Sequence, residues 1–143
     1  MSDIAQVFIE DMEEGMTASL TRAFGEAEVE AFARITGDAN PAHLDADFAA
    51  TTPFERPVVH GMLTASLISA VLGTRLPGRG AIYVSQGISF RRPVFPGQEV
   101  TAEVEITGID RRRRRVTLAT RCLVAGREVL RGEAVVIAPS REG

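Results

Sequence analysis

The sequence predicts an α+β domain in which one long antiparallel sheet curls round a single buried helix. Three observations lead to this prediction: strand-like segments fill the second half, one segment of helical length is apolar on nearly every face, and an amphipathic helix precedes it. The chain has 143 residues and an apolar fraction of 45%, which suits one domain with a sizeable core. We therefore expect residues 1–143 to form a single domain.

The first part of the chain is predicted to hold a short strand and an amphipathic helix. Residues 1–16 are mixed and acidic and are expected to be only loosely ordered, whereas residues 17–23 alternate weakly, as a strand does. Over residues 26–36 the apolar side chains share one face at helical spacing. Gly37 follows, and a glycine at this position typically ends a helix.

The segment from Gly61 to Thr74, GMLTASLISAVLGT, is predicted to be the buried helix. A helix that is apolar on nearly every face is buried all round, and its small residues allow close approach by whatever surrounds it. Between the two helices, the stretch from His43 to Thr52 is predicted to be a loop with one short helical turn.

Four strands are predicted after this helix. Their segments are rich in Val, Ile and Thr and are separated by short turns that contain Pro or Gly, which favours an antiparallel sheet. They cover residues 81–90, 99–109, 115–125 and 128–138. We expect the sheet to curl round the apolar helix, because nothing else in the chain could bury it.

Composition argues against several classes of function. The net charge of −3 has the wrong sign for a general nucleic-acid-binding protein. The 16 basic residues are all arginine, which removes Schiff-base chemistry and the P-loop lysine. The single cysteine, Cys122, cannot form an internal disulfide or a Cys-rich zinc site, and its apolar surroundings in the sequence indicate a small buried side chain.

No membrane partner is expected either. The most apolar stretch, MLTASLISAVL, is only about half as long as a membrane-spanning helix. The N-terminus lacks the basic start and apolar block of a signal peptide, so a cytoplasmic location is the expectation.

The first candidate site is the stretch GDANPAHLD, which runs from Gly37 to Asp45 and places Asp38 five positions before His43. Gly, Asp, Asn and Pro are common turn formers, so a plain turn is one interpretation. The other is an acid–base pair, because histidine titrates near neutrality and a neighbouring carboxylate can tune it. The residues of this stretch leave both interpretations open.

A second candidate is the start of the apolar helix. The first N–H groups of a helix have no internal partners and carry partial positive charge, so the backbone of Gly61 could hold a developing oxyanion. The alternative is that glycine only allows a tight turn into the helix. His60 is expected to be a structural hydrogen-bonding residue, and Ser69 either bonds back to its own helix or faces a ligand.

Two further features of the sequence are interpreted without a functional role. Only two histidines are present and no HxxxH or HxH pair occurs, so no metal site is expected. The run from Arg111 to Arg115 is predicted to be a solvated hairpin tip, and the alternative is an anion or nucleic-acid contact.

Three blocks of sequence resemble the MaoC-like hot-dog hydratases, and most closely the (R)-specific enoyl-CoA hydratases of polyhydroxyalkanoate synthesis. The blocks are TGDANPAHLD (36–45), FERPVVHGMLTASLISAVLGTRLPGRG (54–80) and SFRRPVFPGQEVTAEVEI (89–106). The element D-x-N-P-x-H ahead of a V-H-G-M helix start is a specific signature. The resemblance implies the hot-dog fold, and Ala42 and Gln98 depart from the residues that are typical of the family.

Carried over by position, the resemblance implies roles for five residues. The catalytic pair is Asp38 and His43, and the oxyanion donor is the backbone N–H of Gly61. Ser69 lines the site from the central helix, and Asn40 braces the loop as a site-lining residue. The implied reaction is reversible addition of water to trans-2-enoyl-CoA, which gives (R)-3-hydroxyacyl-CoA without a metal or redox cofactor; coenzyme A is only the carrier.

Two other activities stay open for a chain of this kind: an acyl-CoA thioesterase and a non-catalytic acyl-thioester binding module. The D-x-N-P-x-H element favours the hydratase over the first, and the complete acid–base pair favours it over the second. A curled sheet has open edges, which are covered when two copies pair, so a homodimer is expected.

Overall fold

The structure, a computed structural model, describes residues 3–143. Five strands form one antiparallel sheet in the order β1-β3-β4-β5-β2. The strands are β1 (Thr17–Ala23), β2 (Ile82–Phe90), β3 (Glu99–Asp110), β4 (Arg115–Val124) and β5 (Arg127–Ile137). The helices are α1 (Glu26–Thr36), α2 (Pro41–Leu44), α3 (Ala46–Ala49) and α4 (Gly61–Thr74), and a 3-10 turn spans Ile9–Asp11.

The sheet curls over one side of α4, and the core lies between them. Inward-facing residues alternate along the two central strands: Val100, Ala102, Val104 and Ile106 of β3, and Val116, Leu118, Thr120 and Cys122 of β4. They pack against the apolar face of α4, where Ile68 and Val71 are fully buried. The predicted α+β class and hot-dog architecture are therefore confirmed.

The expectation that α4 is buried all round is wrong on one face. Met62, Ser66, Ser69 and Gly73 recur at helical spacing and are exposed, and Met62 keeps 59% of its accessible surface. One curled sheet covers only one side of a helix, and β2 beside this face also presents its side chains outward. The expectation failed because small residues such as serine and glycine, which mark this face, are compatible with either a buried or an exposed position.

The N-terminal segment is better ordered than its composition indicated. Within residues 3–16, Ile9 and Met12 are buried in the core, while residues 1–2 lie outside the described residues. The guanidinium of Arg111 donates to the carbonyl oxygens of Ile9 at 2.6 Å and Met12 at 2.8 Å. The N-terminal segment is thus pinned to the β3–β4 hairpin.

Two capped single-turn helices, α2 and α3, lie between α1 and α4, where a loop with one short helical turn was predicted. The side-chain oxygen of Asn40 accepts from the N–H of Ala42 at 2.9 Å, which starts α2. Asp45 accepts from the N–H groups of Asp47 and Phe48 and starts α3. Among residues 3–143, none of the helices is long and apolar enough to span a membrane.

Candidate active site

A cavity of about 470 Å³ opens at the N-terminal end of α4. Its walls come from the loop before α2, the start of α4, the turn after β2 and the start of β5. The lining includes Asp38, His43, Phe54, Val58, His60, Gly61, Thr64, Phe90, Arg91, Arg92, Val129 and Leu130. Three of the five residues that the sequence singled out therefore meet in one cavity: Asp38, His43 and Gly61.

Asp38 lies immediately after the C-cap of α1. Gly37 has a φ of 82°, a left-handed conformation that glycine adopts without strain, and it turns the chain out of the helix. The hydroxyl of Thr36 then accepts from the N–H of Asp38 at 3.1 Å. The carboxylate accepts from the N–H of Asn40 at 3.4 Å, so the loop is held at both sides of Asp38.

His43 lies on α2, and its hydrogen bond indicates which ring nitrogen is free. Nδ1 lies 2.7 Å from the carbonyl oxygen of Val58. Because a carbonyl oxygen only accepts, Nδ1 carries the proton, and in a neutral imidazole the lone pair is then on Nε2. One ring nitrogen of His43 lies within 4.8 Å of an Asp38 carboxylate oxygen. This arrangement suits the transfer of a proton between a water molecule and the pair.

His60 completes the inner wall of this part of the cavity. Its Nε2 lies 3.0 Å from the main-chain carbonyl oxygen of Asp38, and only 1% of the residue is exposed. The ring stacks on that of His43, with centroids 3.9 Å apart and planes inclined by 28°. The expectation that His60 forms a structural hydrogen bond agrees with this contact.

Gly61 presents its backbone to the cavity at the first turn of α4. A Cβ atom at this position would lie 2.6 Å from Cε1 of Phe90, so the aromatic ring packs directly over the glycine. The side chain of the N-cap residue, His60, turns towards Asp38 rather than towards this turn. The N–H groups of the first turn therefore remain available for an anionic oxygen.

The other two predicted residues lie outside this lining. Asn40 caps α2 beside the cavity, as its predicted bracing role requires. Ser69 lies in a neighbouring groove of about 320 Å³ between α4 and β2, and Met62 lines both the groove and the cavity. Ser69 thus lies in the groove rather than in the cavity that holds Asp38 and His43, and Met62 lies between the two.

Asp38, His43 and His60 each have a potential metal-ligand atom within 4.8 Å of the other two, a spacing compatible with a metal ion. A metal ion lies close to the plane of the imidazole that binds it. The two rings are stacked with centroids 3.9 Å apart and planes inclined by only 28°, so the planes do not meet at metal–ligand distance from both rings. The geometry therefore favours acid–base chemistry over a shared ion.

Two remaining sequence features lie away from this chemistry. Burial raises the pKa of the Cys122 thiol to about 12, so at neutral pH it is a protonated core side chain and not a nucleophile. The stretch from Arg111 to Arg115 includes the β3–β4 turn, as predicted. Arg111, however, donates hydrogen bonds to the N-terminal segment and is not simply solvated.

Sequence reasoning missed several of the lining residues. Arg91 and Arg92 follow β2, and Phe54 and Phe90 lie in blocks that were quoted only for their resemblance to the family. They reach the cavity because β2 ends and β5 begins beside the start of α4, a long-range arrangement that local patterns do not reveal. The adjacent arginines of the R-R-P turn were the one available signal.

Comparisons with known proteins agree with this geometry. Residues 8–127 match the MaoC-like domain. The chain is 48% identical to an (R)-specific enoyl-CoA hydratase of Rhodospirillum rubrum, over 97% of this chain and 96% of that protein. It is 53% identical to an (R)-specific enoyl-CoA hydratase of Aeromonas caviae, over 91% of this chain and 98% of that protein. The solved structure of an A. caviae (R)-hydratase involved in PHA biosynthesis superposes with a TM-score of 0.88 at 53% identity, covering 91% of this chain and 99% of that one.

Proposed function

Because the chain belongs to the MaoC-like domain family, we propose that it is an (R)-specific enoyl-CoA hydratase. It adds water across the double bond of a trans-2-enoyl-CoA, gives the (R)-3-hydroxyacyl-CoA, and catalyses the reverse dehydration. The observation that carries the proposal is the placement of the Asp38 carboxylate beside the His43 imidazole, whose Nδ1 is bonded to Val58, within one cavity.

In the proposed mechanism, Asp38 and His43 hold one water molecule between them. Nε2 of His43 takes a proton from this water as its oxygen attacks C3 of the enoyl group. Asp38, as the partner of His43, receives this proton and passes it to C2, so the OH and the H of one water molecule add across the double bond and both side chains return to their starting states. The two side chains act as one unit, so the loss of either group removes the proton path.

Negative charge gathers on the thioester oxygen during this attack. The N–H of Gly61 and the positive end of the α4 dipole are placed to stabilise it. A single donor of this kind is worth about 3 kcal/mol of transition-state stabilisation. Addition of water is not a net oxidation or reduction, so the mechanism needs no redox cofactor, and proton transfer by the pair needs no metal.

The direct test is hydration of crotonyl-CoA, followed by loss of the ultraviolet absorbance of the enoyl thioester. We expect the absorbance to fall and the product to be the (R)-3-hydroxybutyryl thioester. Release of free CoA thiol from a saturated acyl-CoA would instead identify a thioesterase. Binding of enoyl-CoA with unchanged absorbance would identify a binding module.

The charge at the cavity wall supports an anionic carrier such as coenzyme A. The N–H groups of Arg91 and Arg92 donate to the carbonyl oxygen of Val129 at 2.7 and 3.1 Å, which fixes the turn after β2. Both side chains are exposed; the guanidinium of Arg92 donates to the carbonyl oxygen of Glu128 at 2.7 Å, and among residues 3–143 no such hydrogen bond holds Arg91. We propose that Arg91 contacts a carrier phosphate, a pairing that guanidinium groups favour.

Replacing Arg91 with Gln is expected to raise KM for crotonyl-CoA several-fold, because a contact worth about 1 kcal/mol changes affinity about fivefold. The matched substrate is the N-acetylcysteamine thioester of crotonate, which has the same reacting atoms and no phosphate. Its KM is expected to stay unchanged in Arg91→Gln. An equal rise for both substrates would contradict a phosphate contact.

We further propose that the enzyme is a homodimer that pairs through β2 and the exposed face of α4. β2 is an edge strand, and three consecutive apolar residues on it, Ile82, Tyr83 and Val84, each keep 40% or more of their surface exposed. The groove between β2 and α4 is lined by apolar and small side chains. A second copy covers both the open edge and the groove, and a twofold axis brings β2 against β2.

The substitution Val84→Glu is expected to convert the dimer to a monomer at micromolar concentration, because it buries a charge in the paired edge. Sedimentation velocity measures the change. The control is Ser19→Glu, on the opposite edge strand β1, which is expected to leave the dimer intact. A parent protein that sediments as a monomer would refute the proposed interface.

We also propose a cytoplasmic location, because acyl-CoA thioesters are made and consumed there. The A. caviae relative is named for PHA biosynthesis, and we propose the same use of the (R)-3-hydroxyacyl-CoA product here.

A further inference from the structure

The proposed machinery comes from three separate places in the chain, and one buried side chain touches all of them. Asp38 follows α1, His43 lies on α2 and Gly61 begins α4. His60 bonds to the main chain of Asp38, stacks on His43 and is the residue directly before Gly61. Its ring also contacts that of Phe32, with centroids 4.7 Å apart and planes inclined by 53°.

The hydrogen bond between His60 and Asp38 has a defined direction. The acceptor is a main-chain carbonyl oxygen 3.0 Å away, so Nε2 of His60 must carry the donated proton. This bond restrains the backbone of the residue whose carboxylate is proposed to hold the attacking water. Within residues 3–143, Nδ1 of His60 has no hydrogen-bond partner, so the Asp38 carbonyl is the polar contact that orients this ring.

The stacking contact restrains the second catalytic group. The His43 ring is fixed at one edge by the bond from Nδ1 to Val58 and across one face by His60. A ring fixed at an edge alone can still swing about that hydrogen bond. The face contact removes this motion and so fixes the direction of His43 Nε2 relative to the Asp38 carboxylate nearby.

We propose that His60 is a positioning residue for hydration. Its Nε2–H bond and its stacked ring hold Asp38 and His43 in fixed positions relative to each other. The inference rests on the proposed hydratase function. Catalytic groups must be held in productive geometry, and a displacement of about 1 Å costs on the order of a hundredfold in rate. His60 therefore acts on kcat through its neighbours, while substrate affinity depends on other walls of the cavity.

Three variants separate the two contacts. His60→Ala loses both, His60→Phe keeps a ring for stacking but has no donor, and His60→Gln keeps an N–H donor but has no ring. For crotonyl-CoA, we expect kcat to fall about a hundredfold in His60→Ala and about tenfold in each of the other two. KM is expected to stay within about threefold of the parent value in all three variants.

The control for a general loss of stability is Ile68→Val, which removes a methyl group from the fully buried middle of α4. It is expected to lower the urea midpoint while kcat per folded molecule stays at the parent value. If His60→Ala does not fold, the Phe and Gln variants decide the question.

The inference is overturned if kcat of the folded His60 variants stays within about twofold of the parent, or if the loss appears only in KM. It is also overturned if Ile68→Val loses kcat to the same degree. A parent protein that does not hydrate crotonyl-CoA removes the proposed function and this inference together. An active parent with unchanged His60 variants removes this inference alone.

Discussion

Replacing Asp38 with Asn, or His43 with Gln, is expected to lower kcat for crotonyl-CoA hydration by a factor of about 10² to 10⁴ while the fold is retained. Each substitution keeps the size of the side chain and removes its ability to exchange a proton. Because the two groups serve one water molecule, the double variant is expected to be little worse than either single variant. Stopped-flow or steady-state absorbance measures the rates, and circular dichroism checks the fold.

Asp45→Asn is the matched control for Asp38→Asn. Asp45 lies seven positions further along, and its carboxylate accepts from two N–H groups at the start of α3. Asparagine caps a helix about as well as aspartate, so this variant is expected to keep both stability and activity. A near-full rate in either Asp38→Asn or His43→Gln would show that the pair is not the catalytic unit.

Gly132→Ala is expected to lower the free energy of unfolding by about 3–5 kcal/mol, because the added methyl group would overlap main-chain atoms. Gly132 lies on β5 opposite Ile88 of β2. A Cβ atom there would lie 1.8 Å from the carbonyl oxygen of Gly87, a main-chain atom that cannot turn aside. The β2–β5 pair must separate locally, and urea denaturation measures the loss.

Gly87→Ala is the control in the same strand pair. A Cβ atom at Gly87 would have no neighbour within 4 Å among residues 3–143, and the position is exposed. This variant is expected to stay within about 0.5 kcal/mol of the parent. If Gly132→Ala is equally mild, the close backbone approach between β2 and β5 is wrong.

Much of the fold followed from local patterns. The bounds of α1 and α4 agree with the predicted helices, because apolar spacing and a terminal glycine define α1 and a continuous apolar run defines α4. The strands agree to within about one residue, since turns that contain Gly or Pro separate them. One short helical turn was predicted between α1 and α4 where the structure has two, although Asn40 before Pro41 and Asp45 before α3 are recognisable N-cap signals.

The site was only partly predictable for a physical reason. Asp38 and His43 are close in sequence, so one motif contained both, and Gly61 was visible as a helix start. The contacts of His60 with Asp38 and His43 cross 22 and 17 positions and depend on how three helices meet. The arginine and phenylalanine side chains line the cavity because the end of β2 lies beside the start of β5 and of α4, which tertiary structure alone brings together.

The hydrogen bonds between Arg111 and the segment around Ile9 have a consequence for biosynthesis. The guanidinium and its first acceptor are separated by 102 positions, so the ribosome releases this early segment long before its anchor exists. Until the β3–β4 hairpin forms, Ile9 and Met12 have no core to enter and stay open to chaperones and proteases. The exposure of Ile9 and Met12 therefore ends only after the β3–β4 hairpin, which carries Arg111, has formed.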